Sequence, residues 1–134
     1  MAHFYVFCLK RHNFDCIRKN NVILANTVRK IYFYDNGIRN AIIAQYQPLE
    51  LRQDKGALWE NWLISGRQKW LHYHHVYANT FFWRPQDRQE IDYVEEREGF
   101  MWAFEMKWSP KAKAAFSKTF TRAYPHSINL KIRR

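Results

Sequence analysis

The sequence predicts an α/β or α+β domain in which helices flank a mixed β-sheet. Alternating apolar and polar residues over 90–107 indicate two strands joined by a turn at Glu98-Gly99. Apolar residues at helical spacing over 55–71 indicate one long helix. With 134 residues, of which 47% are hydrophobic, the chain is large enough to fold as one domain around a hydrophobic core.

The first half of the chain predicts two strands and two helices. Residues 4–9 have the composition of a strand, and residues 30–35 predict a second strand that is apolar on both faces and therefore central. Asp35-Asn36-Gly37 ends this strand with turn residues, and Asp35 is predicted to cap a helix that stops before Pro48. Asp54 is predicted to be the N-cap of the long helix.

The long helix is predicted to bury a single stripe of apolar side chains. The stripe consists of Leu58, Trp59, Trp62, Leu63, Gly66 and Trp70. Glu60 lies beside this stripe, where its carboxylate can reach a cleft. The alternative for Glu60 is an ordinary surface position on the helix.

The second half of the chain predicts a three-stranded antiparallel meander, a helix and a final strand. The strands of the meander cover residues 79–84, 90–96 and 100–108, and the final strand covers 127–132. Ser109-Pro110 has the residue types of a helix start. Basic residues follow on the predicted helix, two of them in its first turn, where a bound phosphate would offset their unfavourable interaction with the helix dipole. The predicted nucleic-acid-binding residues are Lys111, Lys113, Lys118 and Arg122.

The hairpin formed by the last two strands of the meander carries the candidate catalytic residues. In its second strand, large apolar residues alternate with Glu105 and Lys107. In its first strand, Ile91 and Tyr93 are predicted to share a face, so that Asp92 faces the same way as Glu105. Two carboxylates beside an ammonium group can hold a divalent cation and stabilise charge on a phosphate. The alternative is an ordinary polar face of a strand.

The charge of the chain favours an anionic partner, with nucleic acid the first candidate and a membrane surface the second. The formal net charge is +10. Residues 107–134 contain eight basic residues and no acidic residue, whereas residues 36–106 contain eight basic and ten acidic residues. Runs of charge often form only a solvated face, but an acidic centre beside basic segments is what a metal-dependent enzyme acting on a polyanion needs.

The sequence also predicts a cytoplasmic protein that does not associate with a membrane. Cys8 and Cys16 lack the CxxC spacing of metal or redox motifs and are predicted to be free thiols in a reducing compartment. The apolar run at 4–9 is too short to cross a bilayer and lacks the flanking pattern of a signal peptide. The four glycines cannot form the phosphate-binding pattern GxxxxGK[ST], so no ATP site is expected.

Five motifs in the chain resemble the uncharacterised C-terminal domain of a family of prokaryotic AAA-type ATPases. They are KIYFYDNGIRN at 30–40, GALWEN at 56–61, FWR at 82–84, QEID at 89–92 and AFEMKW at 103–108. That domain is in turn similar to the PD-(D/E)xK nuclease superfamily, which includes restriction endonucleases and junction resolvases. The resemblance implies a divergent segment over 1–28 and a restriction-endonuclease-like domain over 29–134. The ATPase half is absent from this sequence, which leaves a separate ATPase partner open.

The resemblance assigns a role to each candidate site residue. Asp92 matches the aspartate of the motif, Glu105 and Lys107 match its (D/E)xK, and Glu60 matches the glutamate often found on a helix. Ile91 stands where the motif has proline. The resemblance implies that the three acids bind Mg²⁺, that Lys107 orients a water or stabilises the transition state, and that the reaction is hydrolysis of DNA.

Two alternatives remain open at the level of sequence. The chain could be a non-catalytic module that binds nucleic acid or regulates a partner, since a basic surface contacts phosphates without any catalytic group. It could also be a truncated remnant of an AAA-type ATPase with no function of its own.

Overall fold

A computed structural model describes residues 6–11, 29–84, 90–112 and 115–134. The strands are β1 (Val6–Arg11), β2 (Arg29–Phe33), β3 (Asn79–Trp83), β4 (Ile91–Arg97), β5 (Phe100–Lys107) and β6 (Ile128–Arg133). The helices are α1 (Asn36–Ile42), α2 (Lys55–Tyr73) and α3 (Lys118–Ala123), and a short 3₁₀ turn covers Leu49–Leu51.

The six strands form one mixed sheet in the order β2-β1-β3-β4-β5-β6. The pairs β1–β3 and β5–β6 are parallel, and the other three pairs are antiparallel. The predicted mixed sheet with flanking helices is therefore confirmed, and so is the antiparallel meander β3-β4-β5. β1 lies between β2 and β3, so residues 6–11 belong to the same sheet as the strands that follow.

β2 lies at one end of the sheet formed by the described residues, so its predicted central position is wrong. Within the described ranges, one of its faces is covered and the other is not: Tyr32 is buried, whereas Ile31 on the other face is 60% exposed. The apolar composition of residues 30–35 indicated a strand correctly, but it did not distinguish an edge strand from a central one.

A core of apolar side chains lies on each face of the sheet, and a different helix covers each core. The core on the α2 side consists of Leu9, Tyr32, Ile64, Phe82, Tyr93, Phe104 and Met106. The core on the α3 side consists of Phe81, Trp83, Ile91, Val94, Ala103 and Phe120. The domain therefore has three layers, in which α2 and α3 lie on opposite faces of the sheet.

α2 begins at the predicted position, but it turns a different face towards the sheet. Its buried residues are Asn61, Ile64, Ser65 and Leu71. Trp62 and Trp70, which belong to the predicted stripe, are 56% and 41% exposed. The reason is Asn61, whose side chain accepts a hydrogen bond from the backbone N–H of Phe33 and donates one to the Phe33 carbonyl, both at 2.8 Å. These two bonds satisfy the N–H and the carbonyl of Phe33 at the end of β2, and they hold the Asn61 face of α2 against that strand.

The caps of the first two helices differ in kind. Asp35 caps α1 as predicted, because its Oδ1 accepts hydrogen bonds from the backbone N–H groups of Gly37 and Ile38 at 2.6 and 3.1 Å. Asp54 occupies the N-cap position of α2, but its side chain makes no capping hydrogen bond. It accepts hydrogen bonds from the guanidinium groups of Arg39 and Arg52 instead.

The last helix is shorter than predicted and begins later. α3 starts at Lys118, and Ser117 caps it by accepting hydrogen bonds from the backbone N–H groups of Thr119 and Phe120. The predicted start at Ser109-Pro110 is wrong, since these residues lie in a bend and a turn. Ser117 and not Ser109 is therefore the cap of this helix, and the helix that it starts places Phe120 in the core on the α3 side.

Candidate functional site

Four candidate residues from three different elements lie together near the point where β4 begins and β5 ends. Lys107 Nζ lies 2.5 Å from Glu105 Oε1 and 3.8 Å from Asp92 Oδ2. Lys30 Nζ, from β2, lies 3.2 Å from Glu60 Oε1 and 3.6 Å from Asp92 Oδ1. Two lysines thus connect three carboxylates, and we call Lys30, Glu60, Asp92, Glu105 and Lys107 the acid–lysine cluster.

A β-bulge in β4 sets the position of Asp92. Phe81 of β3 pairs with Val94, and Trp83 pairs with Ile91, so β4 has one more residue than β3 over this interval. Ile91 and Val94 therefore both face the α3 side, whereas Tyr93 faces the α2 side. The prediction that Ile91 and Tyr93 share a face is wrong, because the extra residue interrupts the alternation.

The bulge directs the Asp92 carboxylate onto β5. Asp92 Oδ2 accepts a hydrogen bond from the backbone N–H of Met106 at 3.1 Å. Met106 lies between Glu105 and Lys107 on β5, so this bond holds the Asp92 carboxylate beside both side chains. A bulge next to a polar site is a common way to redirect one side chain without disturbing the rest of a sheet.

The environment of Asp92 favours the protonated carboxyl group. The residue is only 8% exposed. Its pKa is raised from 3.8 to about 6, chiefly by burial and then by the negative charges of Glu60 and Glu105, while the positive charge of Lys30 and the hydrogen bond from Met106 N–H oppose the rise. Near neutral pH the ionised carboxylate is therefore held in an unfavourable position, which an additional cation would relieve.

Both lysines of the cluster stay positively charged. Burial alone would lower the pKa of Lys107, but its hydrogen bond to Glu105 and the charge of Asp92 outweigh burial and raise it. Burial would likewise lower the pKa of Lys30. The pKa is nevertheless raised overall, because the negative charge of Glu60 and the hydrogen bond to Glu90 stabilise the ammonium group. The cluster thus presents fixed positive charges between its carboxylates.

Glu105 has an oxygen that is available to a ligand. The residue is 6% exposed, and its Oε1 is bound to Lys107. Its Oε2 is buried and has no hydrogen-bond partner within the part of the chain that the structure describes. Such an atom is costly to bury, so an unpartnered carboxylate oxygen here points to a cation or a water as its natural partner.

A comparison with known protein families found a match that includes most of this site. The family described as "Domain of unknown function (DUF4143)" matches residues 55–133, which is more than half of the chain. The chain belongs to the DUF4143 family. No curated protein and no solved structure was found to match the chain.

The DUF4143 match extends from α2 to β6, so it includes four of the five residues of the acid–lysine cluster. Lys30 lies on β2, before the match begins. No helix within the described ranges is long and apolar enough to span a bilayer.

Sequence interpretation missed one residue of the cluster, Lys30, and two residues that contact it, Tyr32 and Glu90. Lys30 joins Glu60 to Asp92, Tyr32 donates a hydrogen bond from its hydroxyl to Glu60 Oε1 at 2.5 Å, and Glu90 forms an ion pair with Lys30. The signal for them was present, because Lys30 and Tyr32 are two residues apart on one strand, as are Glu90 and Asp92 in the sequence. Residues at this spacing share a face of a strand.

The cluster lacks the arrangement of a preformed metal site. In the described ranges, no three His, Cys, Asp or Glu side chains are grouped so that they could hold a metal ion. Glu60 Oε1 is already engaged by Lys30 and Tyr32. Asp92 and Glu105 fit a hard cation better, since both lysines lie beyond 3.5 Å from Asp92 and Glu105 Oε2 is unpartnered.

The predicted nucleic-acid-binding residues lie apart from Glu60. Lys118 and Arg122 are exposed and one turn apart on α3, on the opposite side of the sheet from α2. Lys111 is exposed in the turn that follows β5, and Lys113 lies outside the described residues. Because α3 has only six residues and starts at Lys118, the phosphate site predicted at a helix start at Ser109 does not exist.

Proposed function

We propose that the acid–lysine cluster binds Mg²⁺ and hydrolyses phosphodiester bonds in DNA. The observation that carries this proposal is the meeting of two buried carboxylates, Asp92 and Glu105, beside the ammonium group of Lys107. Charged groups with perturbed pKa values that converge in one place are typical of functional sites, because burying them costs stability.

The chemistry of the donors supports a magnesium ion. Mg²⁺ prefers oxygen ligands and usually binds proteins through one or two carboxylates, and Asp92 and Glu105 would supply them. A bound ion would lower the pKa of a water molecule and neutralise charge on the phosphate. Glu60, held by Lys30 and Tyr32, would act from further away by adding negative charge to the site.

Lys107 would act on the substrate. Its ammonium group is partly exposed, with 32% of the side chain accessible, and it stays protonated. It can therefore donate hydrogen bonds to the oxygens of a phosphodiester and stabilise the negative charge that develops when water attacks phosphorus and the leaving oxygen departs. Glu105 holds the ammonium group in place at 2.5 Å.

A cleavage assay tests this proposal. Supercoiled plasmid and branched DNA are incubated with the wild type, Asp92→Asn and Lys107→Met, in Mg²⁺, in Mn²⁺ and in EDTA. Glu50→Gln serves as a control because Glu50 is an exposed acid on the 3₁₀ turn, outside the cluster. We expect metal-dependent cleavage by the wild type and Glu50→Gln only. Equal cleavage by all four proteins would show that the activity comes from a contaminant.

A second candidate function is non-catalytic binding of nucleic acid. The observation that favours it is that lysines already neutralise the carboxylates, with Lys30 and Lys107 in the places where a cation would be expected. Three results together would select this function. The affinity for nucleic acid would fall steeply as the salt concentration rises, Asp92→Asn would not change that affinity, and no cleavage would be detected.

We also propose that the domain works beside a AAA-type ATPase. The motifs at 30–40 and 103–108 support this association, and the chain itself has no glycine pattern for binding nucleotide phosphates. Isothermal titration calorimetry with Mg-ATP should detect no binding to this chain. Affinity capture with the chain as bait should recover a protein that hydrolyses ATP, and recovery of none would count against the association.

A further inference from the structure

We infer that the apolar cleft between α2 and the strands β5 and β6 receives a base of single-stranded nucleic acid, stacked on Trp62. The inference rests on the proposed function, because it names the form of nucleic acid that the acid–lysine cluster would act on. It concerns a different set of side chains, however, and binding can be measured without cleavage.

The cleft has the size and lining of a ligand site. Its volume is about 380 Å³, within the range of pockets that bind small organic groups. Trp62 and Leu63 form its α2 wall, and Phe104, Met106 and Ile132 form its floor and far side. Nearly all of the lining surface is apolar, so the cleft suits a flat group that can give up its contact with water.

Trp62 is presented for stacking. It is 56% exposed although it is among the largest apolar side chains of the protein. Its indole ring lies on that of Trp59, with ring centroids 5.2 Å apart and an interplanar angle of 22°. Trp59 in turn meets the ring of Trp108 edge-on at 5.8 Å. These contacts hold the rings in a fixed orientation, which lowers the entropy lost when a base stacks.

Trp70 is less suitable, although it lines the same cleft. Its ring is stacked with the imidazole of His74 at 4.4 Å, and the guanidinium of Arg67 lies 4.5 Å from its centroid. Arg67 itself is bound to Glu95 by two hydrogen bonds of 2.5 and 2.8 Å. Trp62 is therefore the side chain that we assign to a base.

The cleft adjoins the acid–lysine cluster. Trp59 directly precedes Glu60 on α2, and Trp108 directly follows Lys107 after β5. Met106, which lines the cleft, donates its backbone N–H to Asp92. The cleft and the cluster therefore share Met106, whose side chain lines the cleft while its backbone N–H holds the Asp92 carboxylate.

The charge next to the aromatic rings favours a polyanion over an apolar peptide. Lys131 and Arg133 are exposed on β6, but they flank Ile132 and therefore face the side of the sheet opposite the cleft. The guanidinium of Arg134 lies 4.5 Å from the centroid of Trp108. Basic groups next to aromatic rings are typical of surfaces that bind single strands, because the cations contact phosphates while the rings stack with bases of any sequence.

The stacking surface implies a single strand or a splayed end. In an intact duplex, both faces of every base are covered by neighbouring bases, so none can stack on a protein ring without being unstacked first. A strand without a complement avoids that cost. The cleft therefore favours single-stranded nucleic acid, or the unpaired part of a branched substrate.

Fluorescence anisotropy in EDTA, with a labelled single-stranded DNA of mixed sequence and the same strand in duplex form, tests the inference. We compare the wild type, Trp62→Ala and Trp62→Phe. Tyr73→Ala is the matched control, since Tyr73 is a 72% exposed aromatic residue of α2 outside the cleft. Base stacking on an aromatic ring contributes about 1–3 kcal/mol, which corresponds to at least about a fivefold change in Kd.

We expect the wild type to bind the single strand more tightly than the duplex. Trp62→Ala should weaken binding of the single strand at least about fivefold, while Trp62→Phe and Tyr73→Ala should retain it. Equal binding of single strand and duplex, or no effect of Trp62→Ala in a variant whose thermal unfolding matches the wild type, would overturn the inference. If the wild type does not cleave DNA in the plasmid assay but Trp62→Ala still weakens binding of the single strand, the nuclease proposal alone is refuted. If the wild type cleaves DNA but Trp62→Ala binds the single strand as the wild type does, the stacking site alone is refuted.

Discussion

Replacing Asp92 by asparagine should make the domain more stable near neutral pH while removing its proposed activity. Asparagine has the shape of the protonated carboxyl group, and its side-chain oxygen can still accept the hydrogen bond from Met106 N–H. What the substitution removes is a buried negative charge. Lys30 keeps Glu60 and Glu90 as partners, and Lys107 keeps Glu105, so neither lysine is left unpaired.

The size and sign of this effect follow from the pKa of Asp92. The folded protein raises this pKa from 3.8 to about 6. The folded state therefore binds the proton more tightly than the unfolded state, and the corresponding stabilisation is complete below pH 3.8 and is lost as the pH rises through about 6. A difference of roughly two pKa units corresponds to about 2 to 3 kcal/mol. The wild type should lose this amount relative to Asp92→Asn between pH 3.5 and pH 7.5.

Urea unfolding across this pH range, in EDTA, measures the difference. We expect the two proteins to have similar free energies of unfolding at pH 3.5 and Asp92→Asn to be more stable by about 2 to 3 kcal/mol at pH 7.5. Asp92→Ala is the control for the hydrogen bond, because it removes the charge and also the acceptor of Met106 N–H. Its gain should be smaller by about 1 to 3 kcal/mol.

Adding Mg²⁺ extends the experiment. An ion bound by the Asp92 carboxylate should stabilise the wild type at pH 7.5 and leave Asp92→Asn unchanged, since only the folded wild type would bind it. Two results would refute the reasoning. One is a difference between the two proteins that does not vary with pH, and the other is an Asp92→Asn variant that is less stable than the wild type at pH 7.5.

Three other substitutions test separate parts of the structure. Lys107→Met should abolish cleavage in the plasmid assay while single-stranded DNA still binds in EDTA, and a joint loss of both would show that Lys107 contributes to binding instead. Glu98→Gly should raise the free energy of unfolding by about 1 kcal/mol, because Glu98 has a φ of 53° in the two-residue turn and glycine adopts this conformation without strain; a lower urea midpoint would contradict this. Arg67→Met should lower the free energy of unfolding by about 3 kcal/mol, because it removes two hydrogen bonds from the fully buried Glu95 carboxylate and leaves it with Arg97 at 3.5 Å and the Tyr93 side chain. Adding Glu95→Leu to Arg67→Met should recover most of that loss in the same urea experiment, and failure to recover it would show that packing, not charge, dominates.

Local patterns in the sequence were sufficient for the hairpin and for part of the site. The alternation in β5 correctly separated Phe104 and Met106 from Glu105 and Lys107, because a strand has a fixed period of two. The glycine at 99, with a φ of 77°, marked the turn. Glu105 and Lys107 could therefore be grouped from the order of the residues alone, whereas the alternation used to place Asp92 beside them fails at the bulge.

Features that depend on contacts between distant parts of the chain could not be predicted in this way. The face that α2 buries is set by hydrogen bonds between Asn61 and the backbone of Phe33, 28 residues earlier. The bulge in β4 depends on its pairing with β3, which no alternation within β4 reveals. The inclusion of Lys30 in the site depends on β2 lying where its side chain can reach Glu60.

The bulge in β4 also determines what a shorter version of this strand would lose. Ile91 and Val94 fill the core on one face of the sheet, and Tyr93 between them fills the core on the other. Deleting Asp92 would leave these three side chains in regular alternation on the same faces, so both cores could stay filled. The extra residue therefore serves the site and not the cores, and related chains that lack it should keep the sheet but lose the carboxylate that accepts from Met106 N–H.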